Sequence, residues 1–77
     1  MNVSELKIGQ QAIVDSITDK DLSLKLLELG CIPGNSIKLE SIAPLGDPLV
    51  IRINDSNFGV RKSEAKSILV TEKAASL

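Results

Sequence analysis

Hydrophobic and polar residues alternate along several short segments of this 77-residue chain, and each alternation predicts a β-strand with one buried and one solvated face. The first segment covers residues 11–17 and is interrupted at Asp15. The second begins near Ser36 and loses its alternation at Ser41, which predicts a β-bulge or the end of strand pairing. The pattern therefore indicates two early strands, each with an irregularity toward its far end.

A β-hairpin is predicted after a loop at residues 43–48 that contains two prolines and a glycine. Residues 49–53 alternate and form its first strand. Turn-forming residues occupy positions 54–57 and lead into Phe58 and Val60, which belong to its second strand. The loop and the hairpin account for the middle of the chain.

The C-terminal part of the chain predicts two further elements and a tail. One helical turn is expected from Lys62 or Ser63 to Lys66, followed by a short strand at residues 68–70. The tail at residues 72–77 has no pattern of its own, so we expect it to fray.

One helix is predicted between the first two strands. Thr18, followed three residues later by Asp21, forms a variant of the capping box, so the helix is expected to begin there. Gly30 ends the helix at about Leu29, because glycine adopts the left-handed conformation that closes a helix without a Cβ penalty. The apolar face comprises Leu22, Leu26 and Leu29, with Leu27 beside them. Leu24 falls outside that stripe and is expected to lie on the surface.

These elements together predict a mainly β fold. About five short strands, one inserted α-helix and a short helical turn near the C-terminus are typical of a small antiparallel barrel or sandwich. The length and an apolar content of 43% support one core, so residues 1–77 are predicted to form a single domain. A core of this size gives a free energy of unfolding of roughly 3–5 kcal/mol.

The composition argues against several classes of partner and of chemistry. The net charge is -1 and Phe58 is the one aromatic residue, so the chain has neither a basic surface for duplex DNA nor stacking platforms for single strands. It has no histidine, which removes the usual general base at neutral pH and the commonest transition-metal ligand. We therefore predict no enzymatic activity, no cofactor and no nucleic-acid partner.

The single cysteine and the nearby acidic residues have ordinary structural interpretations. Cys31 cannot form an internal disulfide, and no activating base lies beside it in the sequence, so we predict a small buried side chain. Asp15, Asp19 and Asp21 lie close together, but their spacing matches no metal-binding loop, and helix caps are the commoner role of such residues. We predict no metal site.

The sequence favours a cytoplasmic location. The first residues lack the apolar run of a signal peptide, and no segment approaches the roughly 20 consecutive apolar residues of a membrane helix. An unpaired cysteine is typical of a reducing compartment. We expect no insertion into a membrane, and the sequence leaves weak self-association through an open sheet edge undecided.

Two motifs give the chain a family resemblance. The helix ends in LLELGCIPG at residues 26–34, and the loop reads APLGDP at residues 43–48. The later segments that belong to the pattern are Ile51-Arg52-Ile53, Val60-Arg61, Glu64-Ala65 and Ile68 to Val70. In this order the motifs resemble the FeoA family, the small ferrous iron transport proteins A. The resemblance covers residues 6–70, and the two motifs together are more specific than either alone.

The resemblance implies an SH3-like β-barrel that acts beside FeoB, a membrane ferrous iron transporter with a cytoplasmic GTPase domain. It does not imply binding of proline-rich peptides, because the grooves that hold them are lined by aromatic residues that this chain lacks. We expect instead that the cytoplasmic region of FeoB contacts exposed aliphatic residues with a charged rim. The candidate partner-binding residues are Leu24, Leu45, Gly46, Asp47 and Arg61.

Two other functions stay open at this point. One is a detached regulatory domain like the C-terminal SH3-like domain of iron-dependent repressors, a domain that also resembles the FeoA family. The sequence contains no helix-turn-helix, which argues against a complete repressor. The other alternative is a small barrel that binds RNA, which the net charge and the low aromatic content oppose.

Overall fold

The structure is a computed structural model that describes residues 1–73. The elements, in chain order, are a 3₁₀ turn Val3–Glu5, β1 Gln11–Ile17, α1 Lys20–Glu28, β2 Ser36–Ile42, β3 Leu49–Ile53, β4 Ser56–Val60, α2 Lys62–Ala65 and β5 Ile68–Glu72. They confirm the mainly β fold with one helix inserted between the first two strands. Neither helix of the described residues has the length and apolar character needed to cross a membrane.

The strands form one antiparallel sheet in the order β4-β3-β2-β1-β5. The predicted hairpin is β3 and β4, which pair from Leu49 opposite Val60 to Ile53 opposite Ser56. Asn54 begins the two-residue turn between them and has φ 56°, a left-handed conformation that asparagine tolerates better than most residues. Long β2–β3 and β1–β5 ladders hold the hairpin and the C-terminal strand in the same sheet.

Both interruptions of the alternation coincide with irregular pairing. The register between β1 and β5 shifts between Val14 and Ser16, and the register between β2 and β3 shifts between Leu39 and Ser41. A bulge places an extra residue in one strand and leaves it out of the ladder. Polar residues can therefore occupy these positions without facing the core, and the bulge predicted at Ser41 is confirmed.

The start of α1 differs from the prediction in its capping residue. Asp19, and not Thr18, is the N-cap, and its Oδ1 accepts a hydrogen bond from the Leu22 N–H at 3.1 Å. The Thr18 hydroxyl donates instead to the backbone carbonyl of Ser67 at 3.3 Å. The capping-box prediction was wrong because this long-range partner, just before β5, engages the threonine while the aspartate satisfies the helix start.

α1 ends at Gly30 in the left-handed conformation that the sequence predicts, with φ 83°. The Gly30 N–H donates to the Leu27 carbonyl at 3.1 Å, and the Cys31 N–H donates to the Leu26 carbonyl at 2.9 Å. These two bonds are the pattern of a Schellman motif. The motif turns Cys31 back over the last turn of the helix, where it is buried beside the core.

The core is aliphatic and draws on every strand and both helices. From α1, Leu22 and Leu26 are buried and Leu29 packs against the core, as the apolar stripe predicts. Leu27 is 57% exposed, so its expected place beside the stripe was wrong. The helix covers the core with a narrow face, and Leu27 lies about 100° further around the axis than Leu26.

β5 is longer than predicted. Glu72 pairs with Ala12, and the Lys73 N–H donates to the Gln11 carbonyl at 3.1 Å. The expectation that the chain frays from residue 72 was therefore wrong for Glu72 and Lys73, because β1 supplies their backbone partners. The rest of the expected frayed tail, residues 74–77, lies outside the described residues.

Candidate partner-binding surface

The loop between β2 and β3 brings four of the five candidate residues to one place. The loop leads directly into Leu49, which pairs with Val60 at the end of β4, and Arg61 follows Val60 in the chain. The loop residues and Arg61 therefore lie at the same end of the β3–β4 hairpin. We call this group the loop patch, and it consists of Leu45, Gly46, Asp47 and Arg61.

Hydrogen bonds give the loop patch a defined shape. The Asp47 Oδ1 accepts a hydrogen bond from the Lys62 backbone N–H at 3.0 Å, which ties the loop to the start of α2. The Gly46 N–H donates to the Ala43 carbonyl at 2.7 Å, and the Ala43 N–H donates to the Pro48 carbonyl at 3.0 Å. The loop is thus closed on itself and fastened to a neighbouring element.

The tip of the loop exposes an aliphatic side chain. Leu45 is 97% exposed, although its own backbone lies inside the closed turn. Arg61, Lys62 and Lys66, in and beside the short helix α2 to which Asp47 fastens the loop, are exposed and supply positive charge. The Arg61 N–H donates to the Glu64 Oε1 at 2.9 Å. An apolar anchor with a charged rim is the arrangement found at protein interfaces.

Leu24 belongs to a different feature, which lies between α1 and β4. It is 66% exposed and lines an open cleft of about 360 Å³, opposite the half-buried ring of Phe58. We call this feature the helix cleft, and its lining residues are Leu24, Lys25, Glu28, Leu29 and Phe58. The exposure predicted for Leu24 is confirmed, but the structure groups it with Phe58 and not with the loop patch.

The sequence reasoning missed Phe58 and Leu29 as surface-forming residues. The sequence placed Phe58 in the same strand as Val60, and the helical period placed Leu29 against the core. Neither pattern shows that α1 lies beside β4, because that contact depends on the tertiary arrangement of the two elements. The one available signal was that Phe58 is the one aromatic residue of the chain.

Cys31 is buried, as predicted, and burial raises the pKa of its thiol from 9.0 to about 11. The thiol therefore stays protonated at neutral pH, where it is a poor nucleophile and a poor metal ligand.

The acidic residues near α1 have structural partners. Asp15 Oδ2 accepts a hydrogen bond from the Thr71 hydroxyl at 2.7 Å, and Asp19 caps α1. Across residues 1–73, no three side chains from His, Cys, Asp and Glu gather in an arrangement that could hold a metal ion.

The strand order, the inserted helix and the aliphatic core define an SH3-like domain. A model of the FeoA domain matches residues 1–72 of the chain. The chain belongs to the FeoA family.

A relative in Porphyromonas gingivalis joins two proteins in one chain. It is named Fe(2+) transport protein A/Fe(2+) transporter FeoB fusion protein, and the chain is 37% identical to it over 71 residues. The match covers 91% of this chain and 8% of the fusion protein. The chain thus corresponds to a small part of that relative's length.

Solved FeoA structures share the fold throughout. The solution structure of the FeoA protein from Chlorobium tepidum has a TM-score of 0.91 and 35% identity, over 100% of this chain and 74% of that one. The zinc complex of FeoA from Stenotrophomonas maltophilia, described as an SH3 domain protein, has a TM-score of 0.81 and 32% identity, over 92% of this chain and 89% of that one. These likenesses confirm the SH3-like fold expected from the motifs.

The likeness to repressors is one of fold. The T. acidophilum IdeR structure has a TM-score of 0.80 and 24% identity, over 95% of this chain and 34% of that one. At this level of identity the shared domain shows a common architecture alone.

Proposed function

We propose that this protein is a non-catalytic, cytoplasmic accessory component of ferrous iron uptake that binds the cytoplasmic region of the FeoB transporter and regulates it. The observation that carries the proposal is the P. gingivalis relative, in which an FeoA part and FeoB form one polypeptide. Two proteins joined in one chain in a relative commonly act together when they are separate chains. The fusion is the reason to choose a transporter as the partner.

The loop patch supports the proposal as the main contact surface. A leucine that is 97% exposed does not contribute to the core, yet the loop around it is held by backbone hydrogen bonds and by Asp47. Pre-organised apolar anchors reduce the conformational entropy that binding costs. We assign Leu45 as the anchor, Asp47 as the residue that positions the loop, and Arg61 as the charged rim.

The helix cleft provides a second contact. Leu24 and Phe58 present apolar atoms, and Lys25 and Glu28 supply one charge of each sign at its rim. Both the loop patch and the helix cleft lie beside β4, so one partner surface can reach both. In this proposal the cleft takes an apolar side chain of FeoB while Leu45 enters a pocket of FeoB.

The direct test is a calorimetric titration of this protein into the purified cytoplasmic region of FeoB, with GTP hydrolysis measured in parallel. The expected result is saturable 1:1 binding together with a change in the hydrolysis rate. Absence of binding contradicts the proposal as a whole. Binding without any change in hydrolysis contradicts regulation of the GTPase and retains the association.

A further inference from the structure

Two basic side chains lie directly opposite each other on the outer face of the sheet. Lys38 of β2 pairs with Arg52 of β3 in the antiparallel register. The neighbours of both residues along their strands are buried, so strand alternation directs Lys38 and Arg52 away from the core. Opposed side chains begin about 5 Å apart, and like charges in such positions destabilise a sheet. The fold therefore holds two positive charges close together against their repulsion.

The two basic residues line an open cavity of about 430 Å³, which we call the sheet cavity. Both side chains are half-buried, so they lie along the surface of the sheet and not freely in solvent. The rest of the lining consists of two amides, a hydroxyl and one aliphatic residue, namely Gln11, Asn54, Ser36 and Ile37. Within residues 1–73, the lining of the sheet cavity therefore includes no acidic and no aromatic side chain.

Two acidic residues are close in sequence to this pair. Glu40 lies on the same face of β2 as Lys38, and its Oε2 is buried without a hydrogen-bond partner among the described residues. Asp55 follows Asn54 in the turn between β3 and β4. Neither carboxylate contributes to the lining of the sheet cavity. An anion from outside the chain can therefore approach both basic groups at once.

A hydrogen bond orients the guanidinium group of Arg52. Its Nη1 donates to the Oδ1 of Asn57, the opposite residue in β4, at 3.3 Å. The planar guanidinium carries further N–H donors, which match the oxygens of a phosphate group and can form two parallel hydrogen bonds to it. Lys38 adds a second charge and its own donors from the opposed position. The pair thus offers the groups that proteins use to bind oxyanions.

We propose that the sheet cavity binds a phosphate group between Lys38 and Arg52, with the amide of Gln11 beside it. Two positive charges favour a doubly charged oxyanion over a carboxylate, which carries a single charge. Binding also removes the repulsion between the two basic residues. Because no aromatic ring lines the cavity, the phosphate group itself is the ligand, whether it is free or part of a phosphorylated molecule. The sheet cavity shares no lining residue with the loop patch or the helix cleft, so the proposal does not depend on FeoB.

An NMR titration of the full chain with inorganic phosphate tests the site. Sodium chloride keeps the ionic strength constant, and a pH of about 8 keeps phosphate mainly doubly charged. The backbone amide signals of Gln11, Lys38 and Arg52 are expected to move saturably, with a Kd of about 1–10 mM. Methyl phosphate distinguishes the two sources of the group. Equal affinity supports a site that accepts phosphorylated molecules, and markedly weaker binding supports a site for the free ion.

Removal of either charge tests the pair. Lys38→Gln and Arg52→Gln are each expected to raise the Kd for phosphate about fivefold or more, because a single basic residue remains. Lys66→Gln removes the same charge at an exposed residue outside the sheet cavity and should keep the Kd within about twofold. The amide spectra show whether each variant keeps the fold.

Acetate is the matched singly charged ligand. At the same ionic strength it is expected to bind about fivefold more weakly than phosphate or worse. Absence of saturable shifts with phosphate, equal affinity for phosphate and acetate, or folded Lys38→Gln and Arg52→Gln variants that bind phosphate as tightly as Lys66→Gln overturns the proposal.

Discussion

The Asp47 carboxylate accepts a hydrogen bond from the Lys62 backbone N–H at 3.0 Å, and this bond joins the β2–β3 loop to the first turn of α2. The two residues are 15 positions apart, yet the bond satisfies an N–H group at the start of a helix that has no side-chain cap of its own. One aspartate thereby holds the loop that carries Leu45 and begins the helix that follows Arg61. Loop position and helix start are coupled through a single side chain.

Replacing Asp47 is expected to loosen this coupling. Asp47→Ala removes the acceptor for the Lys62 N–H and should lower the free energy of unfolding by about 1 kcal/mol. Urea unfolding at neutral pH measures the change. Asp55→Ala is the matched control, because Asp55 is an exposed aspartate in a turn. Equal stability of the two variants would contradict a structural role for the Asp47–Lys62 bond.

Gly30 tests the closure of α1. Its φ is 83°, and a Cβ at this position would lie 2.8 Å from the Nδ2 of Asn54, which itself donates to the Leu29 carbonyl at 3.4 Å. Gly30→Ala should therefore cost the left-handed penalty of about 1–2 kcal/mol and an added contact penalty. Gly34 has φ 95°, and a Cβ added there meets nothing within 4 Å. Gly34→Ala should therefore cost only the left-handed backbone penalty.

The cost of the contact between a Cβ at residue 30 and Asn54 can be measured separately from the cost of the left-handed backbone. Asn54→Ala removes the Nδ2 atom and with it the close contact. The double variant Gly30→Ala/Asn54→Ala should therefore lose less unfolding free energy than the two single variants lose together. Thermal or urea unfolding of the four proteins gives the coupling energy. A coupling of zero would mean that Asn54 moves aside without cost.

Cys31 predicts a pH dependence of stability. Burial raises the pKa of the thiol from 9.0 to about 11, so between these values the unfolded chain has lost a proton that the folded chain keeps. The free energy of unfolding should fall across this range by at most ~1.4 kcal/mol per pH unit. Urea unfolding at about pH 8 and about pH 10 measures the loss, and Cys31→Ala lacks this component. A stability difference between the two proteins that is the same at both pH values would contradict the prediction.

Variants at Leu24 and Leu27 test whether the helix cleft, rather than any exposed leucine of α1, contributes to binding. Both leucines are largely exposed, but Leu24 lines the cleft with Phe58 and Leu27 does not. Leu24→Asp should therefore weaken binding to the FeoB cytoplasmic region, while Leu27→Asp should leave the affinity within about twofold. Circular dichroism confirms that both variants keep the fold. Equal losses of affinity in the two variants would show that the cleft has no special role.

Local patterns predicted most of the fold because strand alternation and glycine closure depend on neighbouring residues. The β3–β4 hairpin, the bulge at Ser41 and the end of α1 at Gly30 follow from positions a few residues apart. Thr18 was assigned as the helix cap because its alternative partner, the Ser67 carbonyl, is 49 positions away. Long-range competition of this kind is invisible to a local pattern.

The candidate surface was predictable in part for the same reason. A loop with two prolines and a glycine identifies Leu45 as exposed, and the helical period does the same for Leu24. The helix cleft required the packing of α1 beside Phe58, and the fastening of the loop required the bond from Asp47 to Lys62. Both relationships join elements that are separate in the sequence.

The affinity of Leu45→Asp for the FeoB cytoplasmic region tests the central proposal most directly. Leu45 is 97% exposed, so this change should alter the free energy of unfolding by less than about 0.5 kcal/mol. Ile8→Asp, at a residue that is 62% exposed beside the N-terminal segment, is the matched control. Calorimetry should show a loss of about thirtyfold or more for Leu45→Asp and little change for Ile8→Asp. Unchanged affinity of a folded Leu45→Asp variant would contradict the loop patch as the binding surface.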